Sequence, residues 1–84
     1  MTRDEITADL IGILSAEADL DPADVTEESS LVIDLEIDSL LMVEIVVAIE
    51  AHFGVTLPKK ELAEDIQLVS DLVTHIEKSL ATRT

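Results

Sequence analysis

The sequence lacks cysteine, tryptophan, tyrosine and asparagine altogether. Without cysteine there are no disulfides, no thiolate metal sites and no cysteine nucleophile. Phe53 is the only aromatic residue, so any core must be built from Leu, Ile, Val and Ala. Cations are also scarce. Five Lys and Arg stand against nineteen Asp and Glu, a net charge of −14. Between Asp4 and Pro58 lie fourteen acids and no Lys or Arg, whereas the five acids and five bases elsewhere cancel. Such a field repels nucleic-acid phosphates and anionic lipid and attracts basic protein surfaces. The longest apolar run covers residues 45–49, well short of the roughly 18 residues that span a membrane. Cytoplasm is therefore the expected compartment.

What is present is aliphatic and periodic. Apolar residues make up 48% of the 84 positions, enough to bury a core in one small domain spanning 1–84. Ile6, Leu10, Ile13 and Leu14 mark one face of a first helix, and Thr2 with Glu5 has the form of a capping box. Asp21-Pro22 stops that helix near Leu20. Residues 19–38 read as a long acidic connection anchored by Leu20, Val25, Leu31 and Leu35. A second helix runs from Ser39 to Phe53, capped by Asp38 and stopped by Gly54. A brief helix fits residues 59–65 after Pro58, and a last one residues 68–80, with Leu68, Val69, Leu72, Val73, Ile76 and Leu80 on one face. The fold class is all-α: a small four-helix bundle of three longer helices and one short one.

The second helix is apolar on two sides. Met42, Ile45, Val46, Ile49 and Phe53 form a core stripe at about 100° per residue. Leu40, Val43 and Val47 fall on the other side, flanked by Glu44 and Glu50. That is the outline of a docking face, apolar at its centre and acidic at its edge.

Catalytic constellations are hard to assemble. Nothing places His52 or His75 beside an exposed serine, as a Ser-His-Asp arrangement requires. An EF-hand register beginning at Asp19 puts Ala23 and Asp24 at its fifth and sixth positions and Ser30 where the closing Glu belongs. Beginning at Asp34 puts Ser39 at the glycine position and Ile45 at the Glu position. No metal site is expected. The remaining constellation is Asp38-Ser39-Leu40. Ser39 would open a helix whose unsatisfied N–H groups and positive dipole end suit a phosphate on its hydroxyl, although a serine there also serves as a plain capping residue.

The string Leu35-Glu36-Ile37-Asp38-Ser39-Leu40-Leu41-Met42-Val43-Glu44-Ile45 resembles the signature of acyl carrier proteins, whose Asp-Ser-Leu serine receives 4′-phosphopantetheine. Ser30-Leu31, Asp34-Leu35, Ala48-Ile49-Glu50, Phe53-Gly54-Val55, Leu57-Pro58 and the apolar spacing from Val69 to Ile76 extend the likeness over nearly the whole chain. The resemblance implies a free-standing (discrete, type II) carrier with no catalysis of its own. Ser39 would take the arm from coenzyme A by a phosphopantetheinyl transferase, with Asp38 capping the helix and aiding recognition. Leu40, Val43, Glu44, Val47 and Glu50 would meet basic surfaces of a ketosynthase, an acyltransferase and other synthase enzymes. Val46, Ile49, Leu57, Ile66 and Leu72 are candidates to line a shelter for the acyl chain, or are plain core. A monomer is implied, without nucleic acid or stable membrane association. Fatty acid synthesis is the favoured pathway, polyketide or related secondary-metabolite synthesis the alternative. An unmodified acidic interaction module is the rival of another class. Three departures bear on partner choice: Glu36 where the family usually has Gly, Leu41 where an acid is common, and Lys59 and Lys60 where acids are usual.

Overall fold

The computed structural model describes residues 1–58, 60 and 64–82. Its helices are α1 (Arg3–Ala18), α2 (Ser39–Phe53) and α3 (Val69–Thr82), with a 3-10 turn at Pro22–Asp24. Among the described residues there is no β-strand, only an isolated bridge between Ser30 and Leu68. The fold is all-α. The brief helix expected over 59–65 lies largely outside the described residues.

Local chemistry sets the helix ends. Thr2 and Glu5 form the expected box: the Glu5 N–H donates to Thr2 Oγ1 at 3.2 Å and the Thr2 N–H to Glu5 Oε1 at 2.8 Å. α1 stops at Ala18, two residues earlier than expected, because Asp19 turns left-handed (φ 55°) and donates its N–H to the Ser15 carbonyl. Asp is among the residues that tolerate that conformation. α2 has the expected bounds, and Gly54 closes it at φ 68°. α3 begins one residue late. Asp71, in its first turn, accepts from the Gln67 and Leu68 amides at 2.9 Å each. Leu68 therefore precedes the helix and stays partly exposed instead of joining the buried face.

The core is aliphatic, as the composition requires. Ile6, Leu10 and Leu14 of α1 meet Ile45 and Ile49 of α2 and Leu72, Val73 and Ile76 of α3, all essentially without solvent contact. Burying one such side chain contributes about 1.5–3 kcal/mol. The long connection is held, not free. Val25, Leu31, Leu35 and Ile37 are buried in the same core, and Leu20 packs against it. Backbone bonds from Leu31 N to Gln67 O (2.9 Å), Val69 N to Ser29 O (3.0 Å) and Ser70 N to Glu27 O (2.9 Å) stitch it to the start of α3. Arg3 adds a polar clasp, reaching Glu27 at 3.5 Å, Glu77 at 3.3 Å and Thr74 Oγ1 at 3.2 Å. His52 Nε2 lies 3.0 Å from Asp9 Oδ2 and joins α2 to α1.

Two helix-end carboxylates make a pH prediction. The Thr2 backbone and hydroxyl hold the Glu5 carboxyl below its usual range, and the Leu68 and Gln67 amides do the same for Asp71. A lowered folded-state pKa means the unfolded chain binds more protons, so this stabilisation is present above the unfolded value and lost as pH falls through the folded one. Repulsion among the excess acids acts oppositely, easing as pH falls from 7 toward the pI near 4.1. The melting temperature should therefore rise from pH 7 to about pH 5 and fall again below about pH 4. Melting curves followed by circular dichroism would show it. A continuous rise down to pH 3 would mean that the two caps contribute nothing.

Candidate functional site

The site is assembled where the connection enters α2. Ile37 donates its N–H to the Leu31 carbonyl at 2.9 Å while both side chains are buried, which fixes the approach to the helix. Between them Glu36 sits at φ 54°, in the left-handed region. Glu36 is thus the point at which a glycine would relieve strain. Left-handed backbone costs a residue with a Cβ about 1–2 kcal/mol, partly offset by the greater unfolded-state freedom of glycine. Glu36→Gly should accordingly raise the melting temperature by roughly 3–6 °C. Glu36→Ala keeps a Cβ and should not; equal gains from both would show that charge removal, not backbone relief, is responsible.

Asp38 is the N-cap residue of α2. Its Oδ1 accepts the Leu41 N–H at 2.8 Å, satisfying one of the orphan donors of the first turn. Ser39 follows as the first helical residue and is exposed. Its hydroxyl therefore lies at the positive end of a 15-residue helix.

Beyond Ser39 the helix faces three ways. Ile45, Val46, Ile49 and Phe53 are buried. Leu40, Val43 and Val47 point outward, 73%, 59% and 59% exposed. Glu44 is exposed beside them. Between these two arcs runs a third, at i+3 and i+4 steps from Ser39: Met42, Val43, Val46, Val47 and Glu50. Together with Val32, Ile37, Asp38, Ser39 and Ile66 they line a cavity of about 450 Å³. The walls are mainly aliphatic. Glu50 is half-buried, and its Oε2 accepts the Leu57 N–H at 2.9 Å, so this carboxylate pins the segment after α2 as well as bordering the cavity.

Of the five residues offered either as acyl-shelter lining or as plain core, Val46 and Ile66 line the cavity, and Ile49, Leu57 and Leu72 are packed in the core. Apolar character alone does not distinguish these two environments, since the cavity borders only one edge of the α2 core stripe. Val32, Ile37 and Met42 are lining residues that the sequence reading misses. The 3–4 spacing counted from Ser39 could have found Met42. Neither histidine lines the cavity, and among the described residues no three His or carboxylate side chains gather as a metal-ligand set. No helix among them is long and apolar enough to cross a membrane.

The described helices thus place an exposed serine at a helix start, bordering a mainly aliphatic cavity. The family described as "Phosphopantetheine attachment site" matches residues 8–76, and the chain belongs to that family, the phosphopantetheine-dependent acyl carrier proteins. It is 42% identical over 78 residues to the meromycolate extension acyl carrier protein of Mycobacterium leprae, covering 93% of this chain and 67% of that one. The protein of the same name from Mycolicibacterium smegmatis is 44% identical over 77 residues, covering 92% of this chain and 77% of its own length. The acyl carrier protein of Thermotoga maritima is 40% identical over 79 residues, covering 94% and 96%. Members of the family are modified with 4′-phosphopantetheine by a phosphopantetheinyl transferase and work with synthase enzymes.

Proposed function

We propose that Ser39 carries the 4′-phosphopantetheine arm and that the chain delivers fatty acyl intermediates to the separate enzymes of a dissociated synthase. The observation that carries this reading is the exposed Ser39 at the α2 N-terminus, bordering a mainly aliphatic cavity. Attack of that hydroxyl on the pyrophosphate of coenzyme A would form the Ser39 phosphodiester and release the adenosine bisphosphate half. The helix end favours the phosphodiester charge at that position. When bound, the arm supplies the thiol that this cysteine-free chain lacks, and with it a thioester link to the acyl group. A tethered substrate meets each enzyme at high effective concentration.

The other residues have supporting tasks. Asp38 fixes the helix start and offers the transferase a carboxylate beside the hydroxyl. Val46 and Ile66, with Ile37 and Met42, give the first carbons of an acyl chain an apolar wall. Leu40, Val43 and Val47, with Glu44 and Glu50, form the face that a ketosynthase or acyltransferase meets with Arg and Lys. A monomeric, cytoplasmic, non-catalytic carrier domain over 1–84 fits this role. Fatty acyl chains are favoured because the similar proteins are named for acyl carriage and for meromycolate extension.

Incubation with coenzyme A and a broad-specificity phosphopantetheinyl transferase should add one phosphopantetheine to the intact mass, on the peptide containing Ser39. An unchanged mass, under conditions that modify another acyl carrier protein, would refute the assignment.

A further inference from the structure

The connection carries an apolar feature that neither the core nor the α2 face absorbs. Val32 and Ile33 are 68% and 81% exposed. They are not loose. Their turn is held by Ser30 N to Asp34 Oδ2 (2.6 Å), Ile33 N to Ser30 Oγ (3.1 Å), and the Asp34 and Leu35 amides to the Ser30 carbonyl (3.0 Å each). Leu31 and Leu35 occupy the inward positions on either side and are buried, so Val32 and Ile33 have no place in the core. A fixed turn with two β-branched side chains loses little entropy on being covered.

Its placement links it to the site. Val32 borders the cavity together with Ser39, Val43 and Val47. Val32 and Ile33 also share a smaller recess with Ile66, itself a wall of the main cavity. An apolar surface thus continues from α2 along the cavity lining to the turn. The charged residues that flank it in sequence carry one sign: Asp34, Glu36, Asp38 and Glu44 are exposed, and no Lys or Arg occurs between Asp4 and Pro58. A second copy of the chain would bring the same negative edge, and anionic lipid would be repelled. An apolar centre with an acidic edge is complementary to a protein surface that is apolar at its centre and rimmed by Arg and Lys.

We infer that the Val32–Ile33 turn is a second docking element, which together with Leu40 and Val43 grips such a protein surface from two sides of the cavity that Ser39 borders. This deepens the carrier reading and rests on it for the identity of the partner. Two separated contacts fix orientation as well as affinity. The partner would be an enzyme that must receive whatever is attached at Ser39 in a defined direction.

The test compares the wild-type chain with a Val32→Ser/Ile33→Ser double variant, using a ketosynthase of a dissociated fatty acid synthase as the probe. Binding is measured first on the unmodified chains, so the result does not depend on Ser39. The double variant should bind about tenfold more weakly, while keeping its dependence on salt because every acid is retained. On acyl-loaded chains Ile33→Ser, which leaves the lining of the main cavity intact, should raise KM with kcat unchanged, and its loading, read by intact mass, should be complete. Ile33→Ser alone, at the most exposed position, should give a smaller loss and serves if the double variant melts early. Unchanged Kd in either variant, or no binding by the wild type, would overturn the proposal. So would co-sedimentation with phosphatidylcholine vesicles, or self-association in sedimentation velocity, that the double variant abolishes. Failure of loading with an intact tenfold effect on Kd would strike the Ser39 assignment and leave the turn standing.

Discussion

Ser39→Ala should abolish phosphopantetheine transfer completely while leaving the fold unchanged. The substitution removes one exposed oxygen from the first position of α2 and touches no buried side chain. Alanine is a good helix former there, and the cap bond from Leu41 N–H to Asp38 is retained. Other serines are poorly placed to substitute. Ser29 is buried, and its Oγ accepts the Thr26 N–H at 3.0 Å. Ser30 Oγ accepts the Ile33 N–H and helps to hold the turn. Mass added to Ser39→Ala, or mapped to Ser30 or Ser70, would move the site. Asp38 offers a finer dissection. Asp38→Ala removes the cap, with a cost of about 1 kcal/mol and a fall in melting temperature of roughly 4–8 °C. Asp38→Asn restores a good capping side chain without the charge. If modification is slowed equally in both, the transferase reads the carboxylate. If asparagine restores the rate, Asp38 acts only by holding the helix start.

The parts of the architecture set by neighbouring residues are legible in the amino-acid sequence alone. The Thr2–Glu5 box, the Asp38 cap and the Gly54 stop are short-range chemistry, and each closes its helix at the expected end. Asp19 shows the limit of such reading. Nothing local requires that residue, ahead of Asp21-Pro22, to take the left-handed turn. The connection divides in the same way. Val25 and Leu35 are legible as anchors because they are isolated apolar residues in an acidic stretch, whereas Leu31 opens the run Leu31-Val32-Ile33, of which it alone is buried. Ile37 sits beside the cap residue, and only its bond to Leu31 shows it closing the approach to Ser39. The pairing of residues 27–31 with 67–70 joins segments far apart in sequence and leaves no local signature. The cavity depends on that pairing, because it brings Ile66 and Val32 over one edge of α2. Helical spacing alone therefore separates inside from outside on α2, but does not show that Met42, Val46 and Glu50 border a cavity. Glu50 illustrates the consequence: it reads as an edge charge in sequence, yet its carboxylate also holds the Leu57 amide.

Two aspartate substitutions on α2 should have opposite effects, according to the arc on which each falls. Ile49→Asp should unfold the bundle. Ile49 has no solvent exposure and packs in the core, so the variant would bury a carboxylate without a partner. The penalty is several kcal/mol, comparable with the whole stability of a small domain. Val43→Asp should leave the melting temperature almost unchanged, because the side chain is 59% exposed and exposed substitutions usually change stability by no more than about 0.5 kcal/mol. Its effect should fall on partner binding. A carboxylate at the centre of the apolar strip would have to be desolvated against the partner's apolar surface. A loss of about 2 kcal/mol or more, some thirtyfold in Kd for a ketosynthase, is expected. Glu44→Lys should do less, slowing association and weakening its salt dependence, since edge charges act mainly on encounter. The ranking can be checked by thermal melts and by binding kinetics on the same three variants. If Val43→Asp collapsed the fold as badly as Ile49→Asp, the outer arc of α2 would be core and could not dock. If Val43→Asp folded and bound normally, the docking face would lie elsewhere, even with Ser39 fully modified.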